Sequence, residues 1–366
     1  MDTEKNKRLI KPSLGEEGNY QQGRGAQINT RNKFQQQEYV REHAEGIDEW
    51  WQPDEGTVYL EETAKTLVNK VDSPDVGMWY SMNPYQGCEH GCIYCYARNA
   101  HEYWGYSAGS DFEHKIMVKK NAPQLLRKFL DRKDWVCKPI SLSGNTDCYQ
   151  PAERKWQISR SLLQVALEYR QPIGIITKNA GILRDVDLLT EMASMNLVCV
   201  FVSITTANEA LRRAMEPRTT TFQQRIRVVE TLSRAGIPMG VMTAPMIPGL
   251  NDHEMPQLLK GAADAGAGMA GYTIVRLNGA VKLLFHDWLY KNFPDRADKV
   301  WHHIEDAHGG KVNDSEFGRR MRGSGEQAEM IRQQFRIHTK RLGLNADKTP
   351  MDTSLFRKPG GQMNLF

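Results

Sequence analysis

Cysteine is scarce in this chain, six in 366 residues, and three of the six are crowded into one short stretch. Six cysteines in a chain of this length, half of them clustered, exclude a disulfide framework of the kind that staples small secreted domains. No apolar run reaches bilayer-spanning length, and residues 1–8 lack the apolar core of a secretion signal, so a soluble, cytoplasmic protein is expected. Neither sign of charge is in real excess. The 48 Lys and Arg against 44 Asp and Glu leave a formal +4, which permits an acidic partner without requiring one. No internal repeat is evident.

What is present suffices for a core. Hydrophobic residues make up 40% and aromatics 9%, in a length that suits one large domain with attachments or two ordinary ones. Residues 1–37 are polar and rich in Gly, Gln, Asn and Arg, and read as largely disordered; 23–26 and 29–34 are the parts able to dock on the folded body instead. Residues 38–77 read as an N-terminal extension, with Trp50, Trp51 and 58–60 opening the folded part. From 78 to 278, β-rich runs at 78–82, 139–142, 172–177, 197–204, 237–242 and 272–275 alternate with helix-like stretches at 153–169, 183–195, 221–235 and 253–265. In the second of these, Val186, Leu188, Leu189, Met192 and Ala193 recur at helical spacing. Such alternation implies parallel strands with right-handed crossovers, an α/β fold. Six units are too few for an eight-fold barrel and suit an open partial barrel or a doubly wound sheet. In either, ligands belong at the C-terminal ends of the strands. Residues 279–350 read as a C-terminal helical region (283–290, 297–307, 327–342), and 351–366 as a flexible tail. From Lys311 onward eleven Lys or Arg face six Asp or Glu, so this end is locally basic.

The clustered thiols are Cys88, Cys92 and Cys95, separated by three and then two residues, with Gly87 and Gly91 beside them. Three thiolates do not fill the tetrahedral shell of a structural zinc ion. A cubane iron–sulfur cluster is normally held by four cysteines, so three local ones leave one iron open to a ligand or substrate. Three readings follow: a zinc site completed by His90 or a distant residue, an electron-transfer centre with a fourth cysteine from elsewhere, or an open-cornered cluster. Cys137, Cys148 and Cys199 are the other cysteines, and none falls in a ferredoxin pattern.

With the aromatic Tyr94 directly before Cys95, a strand before the loop and βα units after it, the loop resembles the signature of the radical S-adenosylmethionine (SAM) superfamily. The resemblance implies a partial (β/α)6 barrel and a 4Fe-4S cluster on Cys88, Cys92 and Cys95. It further implies that SAM (S-adenosylmethionine) on the fourth iron is cleaved to methionine and a 5′-deoxyadenosyl radical, with an external electron donor. A primary carbon radical attacks indiscriminately, so it must be made in an enclosed site beside its target. By position, Gly144, Asn145, Thr146 and Asp147 after the second strand suit the charged methionine part of SAM. The superfamily's usual Gly-Gly-Glu is absent there. Lys178 after the third strand is a partner for the SAM carboxylate, and Ser203 and Thr205 at the end of the fourth match ribose contacts. Tyr94 is placed against adenine, with 244–252 as apolar packing or a rigid turn. Glu216, Pro217 and Arg218 form a loop clasp or a ligand contact.

Over 78–275 the chain is similar to the spore photoproduct lyase-like (DNA repair photolyase-like) branch, through Cys95-Tyr96, Asn145-Thr146-Asp147, Thr177-Lys178 and the Ser203 strand. That similarity implies a radical-relay role for Tyr94 and Tyr96. The branch's hydrogen-donating cysteine aligns with Gly144, and Cys148, four residues on, is the candidate substitute. Cys137 and Cys199 read as structural. His101 and Glu102 follow the loop closely enough to reach an active site or to sit on a solvated face. Arg319, Arg320 and Arg322 form the densest basic cluster, suited to nucleic-acid phosphates or to a solvated surface. The terminal Gln362, Met363, Leu365 and Phe366 resemble the peptide by which bacterial proteins bind the replication sliding clamp. The expected function is a radical SAM enzyme acting on nucleic acid, lyase-like. The alternatives are a protein or small-molecule substrate, or a non-enzymatic iron–sulfur protein associated with DNA or the clamp.

Overall fold

The computed structural model describes residues 23–34, 56–347 and 349–359. Trp50, Trp51 and the clamp-like Gln362, Met363, Leu365 and Phe366 lie outside the described residues. The strands are β1 (Val58–Glu61), β2 (Val68–Lys70), β3 (Tyr80–Met82), β4 (Tyr85–Gln86), β5 (Lys115–Val118), β6 (Ile140–Leu142), β7 (Ile173–Thr177), β8 (Val198–Ser203), β9 (Met239–Met246) and β10 (Met269–Ile274).

Seven of them form one sheet in the order β10-β9-β8-β7-β6-β3-β2. The six from β3 to β10 run parallel, and β2 is an antiparallel edge. This is the strand set of the expected partial (β/α)6 barrel. Aliphatic and β-branched runs such as Ile173, Ile175, Val198, Val200 and Val202 are fully or almost fully buried in it. The crossover helices Ile158–Tyr169, Val186–Ser194, Phe222–Arg234 and Met255–Asp264 each turn one apolar stripe onto the sheet. Leu162, Leu163, Leu189, Val229 and Leu259 are among the fully buried members of these stripes, and each such side chain contributes about 1.5–3 kcal/mol by leaving water.

Three departures from the sequence reading have clear causes. The helical stretch at 153–169 is broken at Gln157, which takes a left-handed φ of 48°. The Glu153 carboxylate turns back to accept the Ser159 N–H at 3.0 and 3.1 Å, capping the restarted helix. A second, three-stranded sheet of order β1-β5-β4 was not anticipated, and it lies beside the cysteine loop. The third departure is from the largely disordered reading of residues 1–37: 23–34 takes the docked alternative that the sequence leaves open. Arg24, Ala26 and Asn32 are buried against the folded body.

The C-terminal helices Val281–Asn292, Ala297–Ala307 and Gly325–Arg341 are not a separate body. Phe285, Trp288 and Ile304 share a core with Cys92, Ile93 and Tyr94, so this region forms the wall on which the cysteine loop rests. The chain between the last two helices also lies along the open edge of the barrel. Ile274 of β10 donates its N–H to the Met321 carbonyl at 2.9 Å, and Arg320 pairs with Asp75 in the β2–β3 turn. Residues 351–359 lie on the barrel helices, with the Arg357 N–H on the Tyr169 carbonyl at 2.9 Å.

Candidate active site

Cys88 and Cys92 are buried and Cys95 is half-buried, all three as free thiols, in the loop between β4 and the short helix Arg98–His101. Gly87 and Gly91, at φ 80° and 68°, let the loop turn the sulfurs to one side. Among the described residues no three His, Cys, Asp or Glu side chains converge on a single metal position. A zinc ion draws all of its ligands to one centre. The irons of a cubane each take one protein thiolate, and three free thiols in one loop suit such a cluster. Burial pushes all three thiols up, and for Cys88 the neighbouring Asp147 adds to it. Loading iron must therefore release protons, and the metal charge supplies what the burial removes.

The loop is gripped from three sides. Outside it, the fully buried Arg98 donates to the carbonyls of Cys92 (2.9 Å), Gly91 (3.1 Å), Gly109 (2.9 Å) and Ala108 (3.2 Å), and to the Glu113 carboxylate at 2.5 Å. Glu113 in turn accepts the N–H groups of Gly25 (3.1 Å) and Ala26 (2.8 Å). From the second strand end, Gln150 accepts the Glu89 N–H at 2.9 Å and donates to the Gly87 carbonyl at 3.1 Å. From the third, His90 is wedged between Asp147 (3.4 Å) and Asn179 (3.0 Å). Arg98, Glu113, Gln150 and Asn179 have no role of their own in the sequence reading, and Gly25 only as part of a segment able to dock, because each acts through a partner distant in the chain.

The strand ends place the expected SAM residues as follows. The Thr146 hydroxyl donates to the Tyr85 carbonyl at 2.6 Å. Asp147 accepts from the Thr177 hydroxyl and from the N–H groups of Lys178 and Tyr149, each at 2.8 Å. Burial pushes Asp147 up, but His90 and these donors outweigh it and hold the carboxyl below its ordinary range. The Asn145 N–H is on the Asn83 side chain at 2.8 Å. Lys178 lies 3.7 Å from Glu216, with its ammonium over the Tyr94 ring. The Tyr94 hydroxyl donates to the same Glu216, and Arg225 completes the clasp at 2.6 Å. Glu216 is held ionised against its burial by Arg225 and Lys178. The Ser203 carbonyl accepts from Arg225 at 2.8 Å, and the buried Thr205 hydroxyl has no partner among the described residues.

A family model described as the radical SAM superfamily matches residues 82–262. An uncharacterized protein of Mycobacterium tuberculosis is 34% identical over 250 residues, 67% of this chain and 73% of the relative. The chain belongs to the radical SAM superfamily. Another uncharacterized relative, from Methanocaldococcus jannaschii, is 31% identical over 192 residues, covering 52% of this chain and 68% of the relative. Among solved structures, spore photoproduct lyase complexed with dinucleoside spore photoproduct matches with a TM-score of 0.58 at 15% identity, covering 78% of this chain and 80% of that one. A variant of it with bound AdoMet and the same dinucleoside matches at 0.56 and 17% identity, with the same coverage. This similarity is one of fold.

As a radical SAM enzyme the protein employs a 4Fe-4S cluster and SAM, and three free thiols in one loop fit the donor set that such a cluster requires. The radical SAM loop also clarifies the other candidates. The exposed Tyr96 donates its hydroxyl to the Gly144 carbonyl at 2.6 Å, so the two positions paired by the resemblance are in contact. Cys148 is fully buried in the main core, with burial pushing its thiol well up. A thiol with no exposed surface is a packing residue here, which argues against the hydrogen-donor role read from the sequence. Of the basic cluster, Arg319 is taken by Asp314 and Arg320 by Asp75, so most of its charge is neutralised internally. Glu102, buried, pairs with Lys33 of the N-terminal segment.

His101 is fully buried between the Tyr106 and Phe112 rings, with neither ring nitrogen partnered among the described residues. Burial pushes its pKa down to about 4. The imidazole is thus neutral in the fold, and its contribution is intact above about pH 6.5 and lost as pH falls towards about 4, worth at most about 3 kcal/mol. Urea unfolding should therefore show wild-type stability falling between about pH 7 and about pH 4.5, and His101→Phe should flatten that part of the curve. Parallel curves for the two proteins would show that His101 is not the titrating group.

Proposed function

We propose that this radical SAM enzyme acts on nucleic acid, abstracting a hydrogen atom from a base or sugar, in a lyase-like or related reaction. The observation that carries the reading is the contact between Tyr96 and Gly144. It sets an exposed phenol, next in sequence to a cluster cysteine, on the end of the second parallel strand, where a substrate would meet the barrel. The solved proteins of this fold that bind a dinucleoside photoproduct support the same substrate class.

Cys88, Cys92 and Cys95 would hold three irons. Gly144, Asn145, Lys178 and the unpartnered Thr205 hydroxyl would contact SAM, with Thr146 and Asp147 fixing the loop that presents them. When bound and reduced by an external donor, the cluster and SAM together supply a 5′-deoxyadenosyl radical. Tyr94, Glu216, Lys178 and Arg225 form a buried charged clasp that closes the loop against water on the side of the fourth strand. With glycine at 144 and Cys148 in the core, no thiol stands ready to return a hydrogen atom. The proposed reaction is therefore not cysteine-mediated splitting of a thymine photoproduct.

Anaerobic reconstitution followed by dithionite and SAM should yield 5′-deoxyadenosine and methionine, and Cys92→Ala should abolish both. With a deuterated oligonucleotide, mass spectrometry should find the label in 5′-deoxyadenosine. Turnover of SAM with no label transferred from any nucleic acid, but transfer from a peptide or metabolite pool, would move the substrate to another class.

A further inference from the structure

The protein gives its most buried arginines carboxylate partners: Arg98 with Glu113, Arg212 with Glu209, and Arg225 with Glu216. Arg276 departs from this pattern. It is half-buried, just past the C-terminal end of β10, the sixth parallel strand. Among the described residues its one hydrogen bond goes to the Met321 sulfur at 3.5 Å. The nearby acids are occupied. Asp75 receives Arg320 and the Gly318 N–H, and Asp314 receives Arg319. Burial first and the adjacent Arg320 second work against the Arg276 charge, and Asp75 and Asp314 offset them only in part. These two acids favour the charge from a distance but neither bonds the guanidinium, so most of its N–H groups are left for an anion from outside.

Its segment is tied to the cysteine loop. Two residues further on, the Asn278 carbonyl accepts from Asn99 at 3.0 Å, on the short helix that follows the cluster loop. The Asn278 and Asn313 amide oxygens are buried without partners among the described residues, and the Val312 carbonyl accepts the Leu277 N–H at 3.0 Å. All of these lie at the β10 end of the sheet, across the open edge from the β2–β3 turn.

We propose that Arg276 anchors an anionic group of the substrate, a phosphodiester of a nucleic-acid strand that enters at the open edge of the barrel. This rests on the nucleic-acid reading above. A guanidinium fork matches two phosphate oxygens at once, and the amides of Asn278 and Asn313 add hydrogen-bonding groups for the sugar or base beside it.

The test uses the full chain loaded with its cluster, and a fluorescein-labelled single-stranded oligodeoxynucleotide of mixed sequence, titrated by anisotropy at several salt concentrations. Arg276→Gln should weaken binding by roughly tenfold or more, and should lower the slope of log K against log salt by about 0.7, the loss of one phosphate contact. Arg319→Gln, whose arginine is already paired, should bind as wild type. Because Arg276 makes no direct ion pair, and Asp75 and Asp314 keep Arg320 and Arg319, Arg276→Gln should melt close to wild type and retain its iron. Equal affinity and slope for Arg276→Gln and wild type would overturn the inference and leave the nucleic-acid reading standing. A wild type that cleaves SAM but binds no oligonucleotide would overturn both. Weaker binding accompanied by a lower melting temperature and iron loss would assign Arg276 to the fold instead.

Discussion

Replacing Glu113 with alanine is expected to destabilise the protein by about 3–5 kcal/mol and to strip it of its cluster. Both side chains of the Arg98–Glu113 pair are completely buried, so the variant leaves a guanidinium without its counter-ion in a dry site. It also orphans the N–H groups of Gly25 and Ala26, each a further desolvation cost. Arg98 holds the carbonyls of Gly91 and Cys92, so any shift in its position is passed to the backbone that aims two of the three sulfurs. Iron content after anaerobic reconstitution and urea unfolding of the apoprotein measure the two effects separately. Arg98→Met combined with Glu113→Ala should recover part of the stability, because the uncompensated charge is gone, while the cluster stays labile. A Glu113→Ala protein with full iron occupancy, unfolding within about 1 kcal/mol of wild type, would show that the clamp is incidental.

The same clamp shows where sequence reasoning stops. The three thiols and their spacing are local, and the strand–helix alternation is a periodic signal, so both are legible in one dimension. The parallel order from β3 to β10 follows from them by the handedness of crossovers. Gly25 is different. It looks like one residue of a low-complexity, polar leader, but a Cβ there would come within 1.8 Å of the Gly91 carbonyl. Its role exists only once 23–26 lies on a loop some 65 residues away in sequence; composition leaves docking of 23–26 open but cannot say on what. Thr146 and Asp147 teach the converse. Polar residues at a strand end read as ligand contacts, yet their hydrogen bonds go to Tyr85, Thr177, Lys178 and Tyr149, so they serve to hold the loop. A residue type and a strand position predict that hydrogen bonds are made there, but not with what.

Installing a cysteine in place of Gly144 should fail on its own, and should succeed only when Ser81 is reduced to glycine. A Cβ on Gly144 would sit 2.6 Å from the Ser81 Cβ and 3.1 Å from its hydroxyl. The nearer atom is fixed to the backbone of β3, so no rotamer change relieves the overlap, and β3 or the loop after β6 must move. The loop is poorly placed to do so. Ser143 is already at a left-handed φ of 79°, the Asn145 N–H is tied to Asn83, and Thr146 is tied to Tyr85. Gly144→Cys is therefore expected to cost about 1–3 kcal/mol and to lower SAM cleavage, since the Tyr96 contact on the carbonyl of that residue moves with the loop. Adding Ser81→Gly removes the colliding atoms, and the double variant Ser81→Gly/Gly144→Cys should regain both stability and cleavage. That protein would then have a thiol at the place the spore photoproduct lyase-like resemblance gives to the hydrogen donor. If it acquires photoproduct-splitting activity, the difference between this enzyme and that branch reduces to two side chains on neighbouring strands. If Gly144→Cys alone folds, loads iron and cleaves SAM as the wild type does, the site has room for the thiol, and its absence here is not enforced by Ser81.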